Sequence, residues 1–241
     1  MRAVLILLLA MIGATACRAG DRVDASETFS DPKAAELAAA VAEGDAARVR
    51  ALVRQGADPN ARGARGVTLL QFAMLAQSPR GFTALLEAGA HPARPGLGGS
   101  TAVHGAALAD DTAYLDALIA HRADLDAPHA ETGASALAEA TGARTRAQFA
   151  RLLEAGADPN RADRMGNTPL HQAAKLNDAA QVLALLEAGA DPRARNRQGA
   201  TFQTYLFKTP DDRLTAQARA ERAQVVAWLQ AHGIEREAVA P

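Results

Sequence analysis

The stretch Gly166-Asn167-Thr168-Pro169-Leu170-His171-Gln172-Ala173-Ala174 opens a helix in a form that leaves few alternatives. Thr168 suits the cap position, where a side-chain oxygen accepts an amide N–H that the first turn leaves unpaired. Pro169 suits the position after it, where its missing N–H is not needed. Leu170, Ala173 and Ala174 then follow at the spacing of one helix face. Ten residues upstream lies GADPN at Gly156, and downstream lies GADPR at Gly189. In each, Gly supplies a left-handed residue that ends a helix, and Asp-Pro takes the chain out of it.

Those turns recur along the chain. GADPN at Gly56, GAHPA at Gly89, RADLD at Arg122, GADPN at Gly156 and GADPR at Gly189 carry their alanines at positions 57, 90, 123, 157 and 190, so the intervals are 33, 33, 34 and 33. An apolar helix end precedes each: ALVRQ, ALLEA, ALIAH, RLLEA or ALLEA. The counterparts of the Thr168 stretch are Thr68-Leu69-Leu70-Gln71, Thr101-Ala102-Val103-His104 and Ser135-Ala136-Leu137-Ala138. A period near 33 combined with G-x-T-P-L-H-x-A-A resembles the ankyrin-repeat family over about Asp31 to Ile234. The resemblance implies an all-α solenoid of helix-turn-helix units, closed by caps, in which the T-P-L-H histidine bonds to backbone in the adjoining loop. It divides the chain into a capping half-repeat at 31–61, full repeats beginning near 62, 95, 128 and 162, and a terminal repeat from 195.

Two irregularities break the period. The extra residue of the 34-residue interval falls between Ala123 and Ser135, in the loop with Pro128 and His129. The last helix end, Trp228 to Gly233, comes about eleven residues late, which places an insertion around Lys208 to Leu214 ahead of a polar helix over Thr215 to Gln230. A charged last helix is what a cap facing water on one side needs.

Composition agrees with helices packed through small side chains. Hydrophobic residues make up 49% and aromatics 4%, which disfavours a β-rich fold. Lys+Arg 26 against Asp+Glu 27 gives a net charge of −1, with no basic field for a phosphate backbone, so nucleic acid is not an expected partner.

The first residues have another character. Arg2, an apolar run from Ala3 to Ile12, and Ala14-Thr15-Ala16 before Cys17 form an export-signal pattern over 1–16. The 15 residues from Ala3 to Cys17 are fewer than the ~20 of a membrane-spanning helix. Ala14-Thr15-Ala16-Cys17 resembles the lipobox of bacterial lipoproteins, although that family usually has Leu where Ala14 stands; ordinary cleavage after A-x-A remains open. As the sole cysteine, at the cut site, Cys17 favours lipidation. The expectation is a lipid anchor at Cys17, a flexible tether over 17–30, a repeat domain over 31–234, a disordered tail over 235–241, and a monomer on the periplasmic side of the bacterial, outer, membrane.

No catalytic set emerges. His104 and His171 belong to the repeat motif, His121 and His232 lie at helix ends, and Asp58, Asp158 and Asp191 belong to the recurring turn. Gly96-Leu97-Gly98-Gly99 lacks the strand-loop-helix order of a phosphate loop. The expectation is a protein binder, not an enzyme, with no cofactor and no metal. Its contact residues are placed on the concave side of the stack, which the first helices and loop tips line: Phe72, Leu75, Leu97, Leu108, Arg164, Met165, Gln172, Lys175, Leu176 and Arg197. Phe72 and Leu108 are the expected central anchors. Small exported ankyrin proteins resemble the immunity proteins that occlude lipase effectors of type VI secretion, which implies a phospholipase-type effector as partner. The alternative is an envelope scaffold that stabilises a resident periplasmic enzyme such as catalase.

Overall fold

The computed structural model describes residues Asp24 to Glu237; the export signal and Cys17 lie outside them. The described residues are helices joined by turns, with no strand among them beyond one antiparallel bridge, Arg62 to Thr68. They divide into two compact units, with the boundary in the chain between His91 and Pro92. No helix among them is long and apolar enough to cross a membrane.

The first unit holds α1 (Ala25–Thr28), α2 (Pro32–Glu43), α3 (Ala46–Arg54), α4 (Leu69–Leu75) and α5 (Pro79–Glu87). Asp31 caps α2 by accepting the Ala34 amide at 3.0 Å, and Gly44 ends it at φ 69°. Ser78 caps α5 and donates its hydroxyl to Val41 O at 2.6 Å, tying α5 to the end of α2. Gly81 makes that approach possible, since a Cβ there would overlap the Val41 carbonyl. Leu37, Val41, Leu69, Leu70, Phe82 and Leu85 form the core.

One expectation is corrected here. The polar segment before Asp31 is not a free tether over residues 24–30. Asp24 caps α1, and Phe29 is buried edge-to-face on Phe72 with ring centroids 5.4 Å apart. The single aromatic among polar residues is the anchor: its ring docks on another, and the Asp24 cap and the turn of α1 hold the segment that carries it.

The second unit holds α6 (Ala102–Leu108), α7 (Ala113–Ala120), α8 (Ala136–Glu139), α9 (Arg146–Glu154), α10 (Pro169–Lys175), α11 (Ala179–Glu187), α12 (Phe202–Leu206) and α13 (Ala216–Ala231). His104 and His171 do what the repeat motif implies. Each Nδ1 accepts from the cap threonine, and each Nε2 donates to the carbonyl of Ala134 or Ala200 in the next loop, at 3.0 Å in both cases. Both imidazoles are fully buried, and burial holds their pKa below 6.5. The recurring turn is also stapled repeat to repeat: Asn160 Nδ2 donates to Gly189 O at 3.0 Å while its Oδ1 accepts from Asp191 N at 2.7 Å. Asn60 repeats this in the first unit, on Gly89 O and His91 N.

The extra residue is absorbed at a loop tip. In regular repeats the tip closes over four residues, as when Asp163 N donates to Asn167 O and Gly166 N to Asp163 O. In the long repeat His129 N reaches Ala134 O and Gly133 N returns to His129 O, one residue more. Successive tips are joined, with Ala130 N on Gly99 O, Arg164 N on Thr132 O and Arg197 N on Met165 O, each at 2.9 Å. The late insertion forms a turn at Asp211–Arg213, fastened by the buried Arg222. Residues 235–237 are not a loose tail: Gln203 Nε2 donates to Glu235 O, and Glu237 N donates to Gln203 Oε1.

Candidate functional site: the loop-tip face of the second unit

Loop tips and first helices of the second unit bring a subset of the candidate residues together. Asn167, buried after the 163–166 tip, organises them. Its Oδ1 accepts from Lys175 Nζ at 2.7 Å and from Asn196 Nδ2 at 2.9 Å, and its Nδ2 donates to both oxygens of Asp163. Asn196 Nδ2 also donates to Tyr205 OH at 2.8 Å, and that hydroxyl donates to Gln198 Oε1 at 3.1 Å. Lys175 is thereby held 5.0 Å from the Tyr205 ring centroid, within cation–π range. Arg164 Nη2 is fixed on Ala130 O at 2.7 Å.

Other candidate residues of the second unit are exposed or half-buried. Met165 is 51% exposed and Leu176 58%, and Leu176 leans toward Gly142 of the preceding repeat. Gln172 is half-buried one turn before Leu176, and Arg197 is exposed on the next tip. Leu108 ends α6 at 36% exposure, and Leu97 is half-buried in the first tip of the unit. Glu139 faces a drier setting: burial raises its carboxyl pKa, an effect that His129 opposes. Exposed apolar groups beside an ordered, mostly cationic background are the elements of a protein contact, with anchors to bury and polar groups that need no reordering.

The expectation fails at Phe72. It is fully buried against Phe29 and belongs to the core of the first unit. Leu75 is half-buried in that same unit, so neither belongs to the face just described. Tyr205, Asn196 and Gln198 were missed by sequence reasoning. The signal was present in register: Tyr205 follows Thr201 by four residues, as Gln172 follows Thr168. The terminal repeat departs so far from T-P-L-H that the correspondence is easily passed over.

Among the described residues no group of three or more His, Cys, Asp or Glu is placed to hold a metal. The histidines of the motif are engaged on both ring nitrogens by the scaffold itself.

Residues 103–196 match a model described as "Ankyrin repeats (3 copies)". Protein PhlB of Serratia liquefaciens is 42% identical over 182 residues, covering 73% of this chain and 78% of PhlB. Among solved structures, the ankyrin repeat domain of Bcl-3 aligns at TM-score 0.67 and 26% identity over 83% of this chain and 86% of that one. The complex of the predatory endopeptidase Bd0816 of Bdellovibrio bacteriovorus with immunity protein Bd3460 aligns at TM-score 0.60 and 26% identity, covering 78% of this chain and 97% of the matched chain.

Proposed function

The chain belongs to the ankyrin-repeat family, and from that premise we propose that it is an immunity protein whose second-unit face binds and occludes an antibacterial effector. It is a non-catalytic protein-binding scaffold, related to a chain from a complex in which an endopeptidase is bound by its immunity protein. The observation that carries the proposal is that Met165 and Leu176 stand exposed in the same repeat whose Asn167 and Lys175 are bonded into a cluster with Asn196 and Tyr205. A face whose polar groups are already bonded to one another suits tight occlusion, because little of their side-chain freedom is lost on binding. The cations Arg164, Lys175 and Arg197 select a partner surface with acidic groups around an apolar anchor.

The finer reading is a phospholipase-type effector of type VI secretion, met on the periplasmic side by a monomer anchored through Cys17. The export pattern before Cys17 and the sole cysteine at the cut site support the location and the anchor, and the effector class is what the resemblance to immunity proteins of lipase effectors implies. A strain lacking this protein is expected to be killed by kin that carry the effector and to be rescued by the wild-type gene. Rescue should fail with Met165→Asp/Leu176→Asp. Survival of the deletion strain among those kin overturns the immunity reading, and loss of a resident envelope enzyme activity in that strain points to a scaffold. Replacing Cys17 with Ala and following labelled palmitate tests the anchor separately.

A further inference from the structure

The late insertion builds a pocket that the ankyrin repeat does not require. It lies between the end of α12, the turn at Asp211–Arg213 and α13, with a volume of about 240 Å³. Three arginines line it, Arg219, Arg222 and Arg236, with one carboxylate, Asp211, which is paired with Arg222. Apolar side chains line it too, from Phe207, Ala223, Val226 and Ala227.

Arg222 is the unusual member. Only 4% exposed, it donates Nη1 to Thr209 O at 2.6 Å and to Asp211 Oδ1 at 2.9 Å, and Nη2 to Asn177 Oδ1 at 2.8 Å. Its Nε–H has no partner. A buried cation with an unspent donor is costly to keep, and a neighbouring negative charge lowers that cost. Arg236 lies 4.4 Å from the Phe207 ring centroid, and Arg222 is 5.8 Å from the same centroid on its own approach. Arg219 reaches Asp211 O with one Nη, at 3.3 Å, which leaves its other donors uncommitted to the turn. One exposed carboxylate against three guanidiniums leaves the pocket cationic.

We propose that this pocket binds a small organic oxyanion, a carboxylate or phosphate ester carrying a short apolar chain. Guanidinium forks match the oxygens of either head, and the Ala223, Val226 and Ala227 side chains of α13 take the carbon chain. The volume lies under the roughly 300 Å³ at which sites for drug-sized ligands begin, which restricts the occupant to a head group and a few carbons. The inference does not rest on the immunity reading, since the pocket is built from the insertion and α13 and uses none of the loop-tip residues.

Calorimetric titration of the full chain with hexyl phosphate, hexanoate and inorganic phosphate tests it. Saturable one-to-one binding of at least one hexyl compound is expected, ~10-fold or more tighter than inorganic phosphate, and the tighter head identifies the source chemistry. Arg219→Gln/Arg236→Gln, both at exposed positions, should weaken that binding by ~10-fold or more with the unfolding midpoint retained. Should that variant not fold, Val226→Glu among the apolar lining side chains is the second probe, and it should abolish binding. The proposal is overturned if neither hexyl compound binds saturably, if inorganic phosphate binds as tightly as both, or if the folded variant binds like wild type.

Discussion

Phe72 and Gln172 hold the same place in their repeats, four residues after the capping threonine, yet one is sealed and the other borders an open face. In the first unit Phe29 lies on that register position, and Thr28 packs against Gly63 at the loop tip, where an added Cβ would collide with the Thr28 backbone. In the second unit the corresponding region is edged by Met165 and Leu176, both more than half exposed. The same register thus supplies core in one unit and candidate contact surface in the other. What decides between them is whether another segment of the chain lies on it.

The comparison breaks most sharply at Phe72. Phe72→Asp should destabilise the protein by about 4 kcal/mol or more, because a carboxylate replaces a fully buried ring, and thermal melts with helix content by circular dichroism would register the loss. Phe29→Ala removes the cover and leaves the ring beneath it, and should cost about 3 kcal/mol; an unchanged denaturation midpoint would mean that the 24–30 segment contributes nothing. Met165→Asp/Leu176→Asp should leave stability within about 0.5 kcal/mol, as exposed substitutions do, while weakening capture of a partner by about 2 kcal/mol or more if these are anchors. A melt shift as large as that of Phe29→Ala would return them to the core.

A smaller effect follows from the motif histidines. Burial lowers the folded pKa of His104 and His171 below 6.5, so the unfolded chain takes up protons that the folded chain resists. Their contribution is present above pH 6.5 and is lost as pH falls from there through the lowered folded values. The melting temperature should fall over that window, and less steeply in His104→Gln, whose amide can still bond to the loop carbonyl. Identical slopes in the two proteins would discount the imidazole as the cause.

Much of the fold was legible because its signals are local. The threonine caps, the glycine turns and the 33-residue interval each act within a few residues, so Thr168-Pro169 and Gly189 place helix boundaries without knowledge of any neighbour. The repeat register also placed Arg164, Met165, Lys175, Leu176 and Arg197 on a common face. It did not reveal Asn167 as the group that joins Lys175 to Asn196 and Tyr205, because those bonds link residues 8 to 29 positions apart. The polar composition of residues 24–30 concealed a docking segment, since one phenylalanine among them changes little in a window average and much in a packed core.

The sequence by itself determined the architecture: helices that start at threonine caps, stop at glycine turns and stack at a fixed interval, with histidines directed into the next loop. Only the tertiary structure decided which faces are free. Exposure is a property of what else lies on a surface, and Phe29 on Phe72, like Arg222 beneath the inserted turn, is a contact between segments whose local sequences give no sign of each other.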